Sequence, residues 1–241
     1  MKSYVIGDIH GGYRALKQLF DLKHLKYTDR YIFLGDYVDG WSEAVETVDF
    51  LIDLAAKADC IFIKGNHDYL IEQYLKKGDA PELWLRSGGT ITRQNYEGME
   101  PKRLERHKDF YRNLTLYHID KQERLFVHAG FTNLHGPQHE HFKNQVFWDR
   151  TLWETAKALD ATLDKEDLRY PKRFKLFKEI YIGHTPVTRL GETTPVCFGN
   201  VWNIDTGAAF KGPLTIMDVD SKAYWQSQAV YELYPDEAGR N

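Results

Sequence analysis

The sequence is poor in sulfur. Cys60 and Cys197 are the only cysteines among 241 residues. They lie far apart in apolar surroundings and read as two buried thiols in a reducing compartment. No apolar run approaches the length of a membrane span. No apolar leader is expected either, because Gly7, Asp8 and His10 interrupt the first residues. The net charge is only −3, so no global basic field exists to attract nucleic acid or a membrane surface. Repeats, low-complexity tracts and linker-like stretches are lacking, and a single domain over 1–241 is expected. These absences point to a soluble, cytoplasmic protein without nucleic-acid or membrane partners. What remains is an ordinary globular balance of 42% hydrophobic and 28% charged residues, long enough for one full core. Aromatics are generous, with 15 Tyr, 13 Phe and 6 Trp; most belong to a core and several are available to line a cleft.

One design recurs along the chain. The apolar run Tyr31-Ile32-Phe33-Leu34 reads as a buried strand and ends in Gly35-Asp36-Tyr37-Val38-Asp39. Tyr4-Val5-Ile6 likewise ends in Gly7-Asp8-Ile9-His10-Gly11, and Ile61-Phe62-Ile63-Lys64 in Gly65-Asn66-His67-Asp68. A glycine permits a sharp turn, and a ligand-bearing residue follows at once. The spacing of about thirty residues is what one strand–helix–strand unit needs. Carboxylates at such strand ends face the crevice where α/β sheets bind ligands.

The rest of the chain is less regular. Leu16, Leu19, Phe20 and Lys23 share a helical face, so a helix is expected from Gly12 to about Lys23. Ser42 reads as the N-cap of a second helix reaching Lys57. This order predicts a parallel sheet with right-handed crossovers. A polar, helical region follows at about 69–115, with helices expected at 69–77, 81–86 and 101–112 and no chemistry assigned to it. A hairpin around Lys121-Gln122 leads into His128-Ala129-Gly130. The segment 131–178 is variable, with a helix expected from Phe147 to about Leu159. Ile180-Tyr181-Ile182 then runs into Gly183-His184-Thr185-Pro186. The alternating tail, through Asp205-Thr206-Gly207 to Trp225, reads as antiparallel strands of a second sheet.

Collected, the strand-end groups are Asp8, His10, Asp36, Asn66, His128 and His184. Oxygen and imidazole donors without thiolate suit manganese first, with iron or zinc open. Six ligands are too many for one tetrahedral ion and fit two ions that share a carboxylate. Two such ions activate a water and stabilise in-line displacement at phosphorus. His139-Glu140-His141 is read as a solvated loop, and His24, His107, His118 and His135 have no comparable setting.

Gly-Asp-Ile-His-Gly, Gly-Asp-Tyr-Val-Asp, Gly-Asn-His-Asp, Val-His-Ala-Gly and Gly-His-Thr-Pro together resemble the phosphoprotein phosphatase branch, bacterial type, of the calcineurin-like metallophosphoesterases. The resemblance spans residues 7 to about 217. It implies an α/β fold of two packed mixed β-sheets flanked by helices. It further implies that Asp8 and His10 hold a first ion, that Asp36 bridges, and that Asn66, His128 and His184 hold a second. His67 would be the general acid, oriented by Asp39.

The sequence departs from that pattern where many members follow Val-Asp with Arg-Gly, the arginine gripping phosphate. Here the pair is Gly40-Trp41. Trp41 is then a candidate aromatic wall beside the substrate. Arg150, in Phe147-Trp148-Asp149-Arg150, resembles a tryptophan-plus-arginine segment of bacterial members and is a candidate phosphate contact. Asp68 replaces a glutamate and keeps a carboxylate near the site. The expected activity is a metal-dependent phosphomonoesterase acting on phosphoserine and phosphothreonine proteins, or more broadly on small phosphoesters. The alternatives are a symmetric dinucleoside tetraphosphate hydrolase and a non-catalytic binding module of the same fold.

Overall fold

Alternation along the strands sets the layers. In β1 (Ser3–Ile6), Tyr4 and Ile6 face one side and Val5 the other, as successive strand residues must. In the computed structural model, which describes residues 1–22 and 25–240, Tyr4 and Ile6 pack under helices while Val5 meets a second sheet. The same division holds in β5 (Arg124–Val127) and β6 (Glu179–Ile182). Leu125, Val127, Ile180 and Ile182 face outward to a helical layer. Phe126 and Tyr181 face inward and stack at 4.8 Å. The result is two mixed sheets, face to face, with helices outside both.

The first sheet carries β1, β2 (Arg30–Phe33) and β3 (Asp59–Phe62) as parallel neighbours. The helices α1 (Tyr13–Phe20) and α2 (Ala44–Ala55) make the connections. The end of the first helix expected at Lys23, and His24, lie outside the described residues. Ser42 does not cap α2, which starts at Ala44; its hydroxyl donates instead to Glu237 at 2.6 Å. The third motif begins α3 (Asn66–Lys77) earlier than the apolar pattern indicates, so Asn66, His67 and Asp68 form its first turn. The short α4 (Glu82–Trp84), α5 (Thr90–Tyr96) and α6 (Pro101–Arg112) follow. Of these, α5 is an element the periodicity does not separate.

The second sheet has the order β4 (Tyr117–Ile119), β5, β6, β8 (Val201–Asn203) and β7 (Val196–Phe198). Here β5, β6 and β8 run parallel, which corrects the antiparallel reading of the tail at β8 against β6 alone, since β7 and β8 do pair antiparallel. Only β4 and β7 pair antiparallel to their neighbours. The last strands, β9 (Pro213–Asp218) and β10 (Tyr224–Ala229), return to the first sheet, with β9 antiparallel to β1. The reason is packing: Leu214 and Ile216 on β9 join the core under α1, while Met217 fills the space between the sheets. On the outside of the second sheet α7 (Thr151–Lys157) starts later than expected, after a 3-10 turn at Lys143–Phe147. The short α8 (Val230–Leu233) closes the first sheet. Both cysteines are free but half-buried rather than buried. Among the described residues, no helix is long and apolar enough to cross a membrane.

Trp41 belongs to this core. It is fully buried, stacks on Tyr234 at 5.2 Å and donates Nε1–H to the Ala208 carbonyl at 2.7 Å. The aromatic-wall reading is therefore corrected: after Gly40 the chain turns inward, and the indole offers no face to a substrate. Trp41→Ala should cost about 3–5 kcal/mol of stability, the usual penalty for emptying a buried aromatic site. Chemical denaturation measures it, and a loss below about 1 kcal/mol would contradict the assignment.

Candidate metal centre and active-site cleft

The parallel strands of both sheets end at one edge, and their first loop residues meet there. Asp36 stands in the middle. Its Oδ2 lies 3.6 Å from His10 Nε2 and 3.3 Å from His128 Nε2. Its Oδ1 accepts the His67 backbone N–H at 3.0 Å. Asp8 Oδ2 lies 4.0 Å from His10 Nε2 and accepts the His184 backbone N–H at 2.9 Å. Asn66 Oδ1 lies 3.2 Å from His128 Nε2 and 2.8 Å from His184 Nδ1. Two sets of ligand atoms each fall within 4.8 Å of one another, His10–Asp36–His67 and Asp36–His128–His184, and Asp36 is common to both.

Four non-glycine residues of these loops hold left-handed backbone: His10 at φ 54, Asp36 at 54, Asp39 at 70 and His184 at 68. Such conformations are costly and persist where surrounding bonds fix them. Asp68 supplies several of those bonds. Its carboxylate accepts the N–H groups of Gly65, Asp36 and Tyr37 at 2.7–2.9 Å. Asp68 is thus a buried strap between two motif loops, and burial followed by the nearby Asp36 charge pushes it up to about 7.

The donor set fits divalent cations. Backbone carbonyls of Val38 and Asp39 hold His10 Nδ1 at 3.1 and 2.8 Å, and that of Leu34 holds His128 Nδ1 at 2.8 Å. Both rings therefore present Nε2 inward, the way outer hydrogen bonds orient metal-binding imidazoles. Asp8 Oδ1 and His184 Nε2 are buried without a hydrogen-bond partner. An unmade buried bond costs about 1–3 kcal/mol, and a cation at the centre would satisfy Asp8 Oδ1, while His184 faces the ligand set through Nδ1, 2.8 Å from Asn66 Oδ1. The electrostatics agree. Burial, then Asp205, raises Asp8 well above the usual carboxylate range. Burial also opposes ionisation of Asp36, but His128, His67 and His10 outweigh it and hold the group well below its ordinary value. Burial opposes the charge on His128 as well, yet Asp36 and Asp8 lift it to about 10. Burial pushes His10 and His184 down. Divalent charge placed among these carboxylates would relieve their crowding.

Beside the centre, His67 Nδ1 donates to Asp39 Oδ2 at 2.7 Å, and Trp84 Nε1 donates to the same oxygen at 2.6 Å. Thr92 Oγ1 accepts the Asp39 backbone N–H at 3.0 Å. Trp84 and Thr92 come from the helical region to which the sequence assigns no chemistry. Asp205 is a further omission. It is buried, lines the cleft and is pushed up to about 6, chiefly by burial. The cleft over the centre has a volume of about 320 Å³. His67, Trp84, Trp148 and Arg150 line it, and Trp41 does not. A larger hollow, about 750 Å³, lies beside α1 and α2 but shares no lining residue with this chemistry. In the 139–141 loop, Glu140 is buried and accepts the Asn133 N–H at 2.8 Å.

The sequence pattern of the calcineurin-like phosphoesterases matches residues 1–204. The chain belongs to that family. This calcineurin-like phosphoesterase is similar to bis(5'-nucleosyl)-tetraphosphatase PrpE (asymmetrical) of Geobacillus thermodenitrificans, 29% identical over 230 residues and 88% of each chain. The protein of the same name from Anoxybacillus flavithermus is 26% identical over 227 residues, again 88% of each. Among solved structures, a putative diadenosine tetraphosphatase aligns with TM-score 0.62 and 18% identity, over 95% of this chain and 93% of its own. A protein serine/threonine phosphatase from Saccharomyces cerevisiae aligns with TM-score 0.58 and 17% identity, over 95% and 80%. Both likenesses are of fold.

Gly183 marks how tightly the centre is built. A Cβ there would lie 2.0 Å from Asp8 Oδ1. Gly183→Ala should therefore displace Asp8 and weaken manganese binding by about 10–100-fold, the scale of disturbed support around a metal site. Calorimetric titration reads the affinity, and a change within about twofold would show that Asp8 is not a ligand.

Proposed function

We propose that this phosphoesterase hydrolyses small nucleotide polyphosphates of the dinucleoside tetraphosphate class, with two divalent ions, manganese foremost, held by Asp8, His10, Asp36, Asn66, His128 and His184. The cleft carries this reading. Its volume of about 320 Å³ falls in the range of small-molecule sites. Trp148, 42% exposed, stands edge-on to His184 with ring centroids 6.4 Å apart. An exposed indole beside the centre offers a stacking face to a nucleobase. The tetraphosphatase name carried by relatives that align over nearly the whole chain supports the same substrate. Because those relatives are named asymmetrical, a nucleoside triphosphate and a monophosphate are the expected products, rather than the two diphosphates of symmetric cleavage. The serine/threonine phosphatase reading uses the same chemistry but has only fold likeness behind it. The pairing of His67 with Asp39 supports catalysis over a pure binding role.

Bound divalent ions supply Lewis-acid polarisation of phosphoryl oxygens and a nucleophile at neutral pH. Hydrolysis adds water across the P–O–P linkage. A new P–O bond forms on one phosphorus, and the bridging oxygen leaves with the electron pair. Asp39 holds His67 by Nδ1, which leaves Nε2 to give a proton to that departing oxygen. Trp84 fixes Asp39 in turn. Arg150, at the cleft, is a candidate for a charge-assisted contact to phosphate.

Manganese-loaded protein should turn over diadenosine tetraphosphate with kcat/KM at least about tenfold above a phosphoserine peptide, a gap of about 1.4 kcal/mol in transition-state binding. The reverse order would return the protein-phosphatase reading. His67→Asn should slow alkyl phosphates by about 10²–10⁴-fold and p-nitrophenyl phosphate much less, because only a poor leaving group needs the proton. Trp84→Phe should follow the same pattern more weakly. Equal losses on both substrates would remove the acid role.

A further inference from the structure

Among the described residues, every arginine except three lies within 4.0 Å of a carboxylate. The three are Arg150, Arg189 and Arg240, and all three line the cleft over the metal centre. Their segments come from different parts of the chain. Arg150 precedes α7. Arg189 sits on the turn Val187–Leu190, which the Val187 N–H anchors to the Asp205 carbonyl at 2.9 Å. Arg240 lies beyond α8, where its N–H donates to the Ala209 carbonyl at 3.0 Å and its guanidinium sits 5.6 Å over the Phe210 ring. Glu237 pins that segment to the loop after Gly40 by accepting the Ser42 N–H and hydroxyl at 2.9 and 2.6 Å.

The guanidiniums are close enough to feel one another. Burial lowers Arg150, and the charges of Arg189 and Arg240 lower it further. The field of Arg240 also reaches His10, and that of Arg150 reaches His184, so the arc spans both halves of the centre. Glu154 offsets part of the field at Arg150, and Asp205 in the same cleft feels Arg240. Among the described residues, however, no carboxylate makes an ion-pair contact with any of the three, and like charges so gathered are unfavourable in the free protein. A polyanion reverses that sign. A guanidinium grips phosphate with two parallel hydrogen bonds. The sequence leaves little choice of source, because a Cβ at Gly40 would lie 2.8 Å from the His10 carbonyl oxygen. A cation for that side of the cleft has to come from another segment.

We propose that Arg189 and Arg240 form, with Arg150, a second anion site that holds the phosphates adjoining the one at the metal ligands. The protein thereby selects linked phosphates over single phosphomonoesters. This inference rests on the nucleotide-polyphosphate reading but can be tested apart from it. The test is calorimetric titration of the manganese-loaded protein, in excess manganese, with AMP and with non-hydrolysable α,β-methylene-ADP. The diphosphate should bind at least about tenfold tighter, the scale of one charged hydrogen bond. In Arg189→Ala/Arg240→Ala the preference should collapse to within about threefold, with AMP affinity, metal content and melting temperature nearly unchanged. The single variants Arg189→Gln and Arg240→Gln should each lose part of it. A wild-type protein without the preference, or variants that keep it, would overturn the proposal. An arginine-dependent preference in a protein that fails to cleave diadenosine tetraphosphate would support the anion site while removing the substrate reading.

Discussion

The structure depends on one shared carboxylate. Asp36 is buried at the meeting point of two imidazole clusters and belongs to both. Burial alone would keep it protonated, and the surrounding imidazoles hold it ionised. An isolated buried charge is expensive, and pairing or metal coordination is what makes it tolerable. The left-handed backbone at Asp36, the Asp68 strap and the close approach of Gly183 to Asp8 all serve that placement. Their combined cost is intelligible only if the loops exist to hold charge. The sheets explain how the loops can meet. Parallel strands deliver their ends to one edge, and inward-facing residues such as Val5, Phe126 and Tyr181 fix the two sheets together.

Around this centre the cleft divides its labour by chain segment. Strand-end loops bring the groups that could hold metal ions. The helical region after α3 brings Trp84 and Thr92, which fix Asp39 and through it His67. The segments after β5, after β6 and after α8 bring Trp148 and the arginines. A phosphoesterase fold can therefore keep its chemistry while the later segments change which phosphoester is held. The tetraphosphatase name is that of relatives, and the proposed arginine site rests on the proposed substrate while being testable apart from it.

Candidate ligands were legible in the sequence because Asp8, Asp36, Asn66 and His184 each directly follow a glycine at the end of an apolar strand, with His10 three residues after Gly7 and His128 straight off its own apolar strand. That signal is local, and the parallel order of β1, β2 and β3 follows from the spacing of about thirty residues. Contacts made across the chain were not legible. Trp84 reaches Asp39 over 45 residues of sequence, in a stretch whose pattern is only helical. Arg189 and Arg240 look like ordinary surface cations until the fold shows that they lack acid partners. Nearness in sequence also misled: Trp41 stands two residues from Asp39, yet it packs against Tyr234 in the core. The parallel placement of β8 and the return of β9 and β10 to the first sheet were hidden for the same reason, since alternation shows a strand's faces and not its neighbours.

The most direct test of the shared carboxylate is a crystal structure of the protein grown with manganese, with anomalous differences collected at the manganese edge. Two peaks about 3.5–4 Å apart are expected, the usual separation in two-ion phosphoesterase sites. One should be ligated by Asp8 and His10, the other by Asn66, His128 and His184, with Asp36 reaching both. A single peak, or two peaks of which only one touches Asp36, would contradict the account.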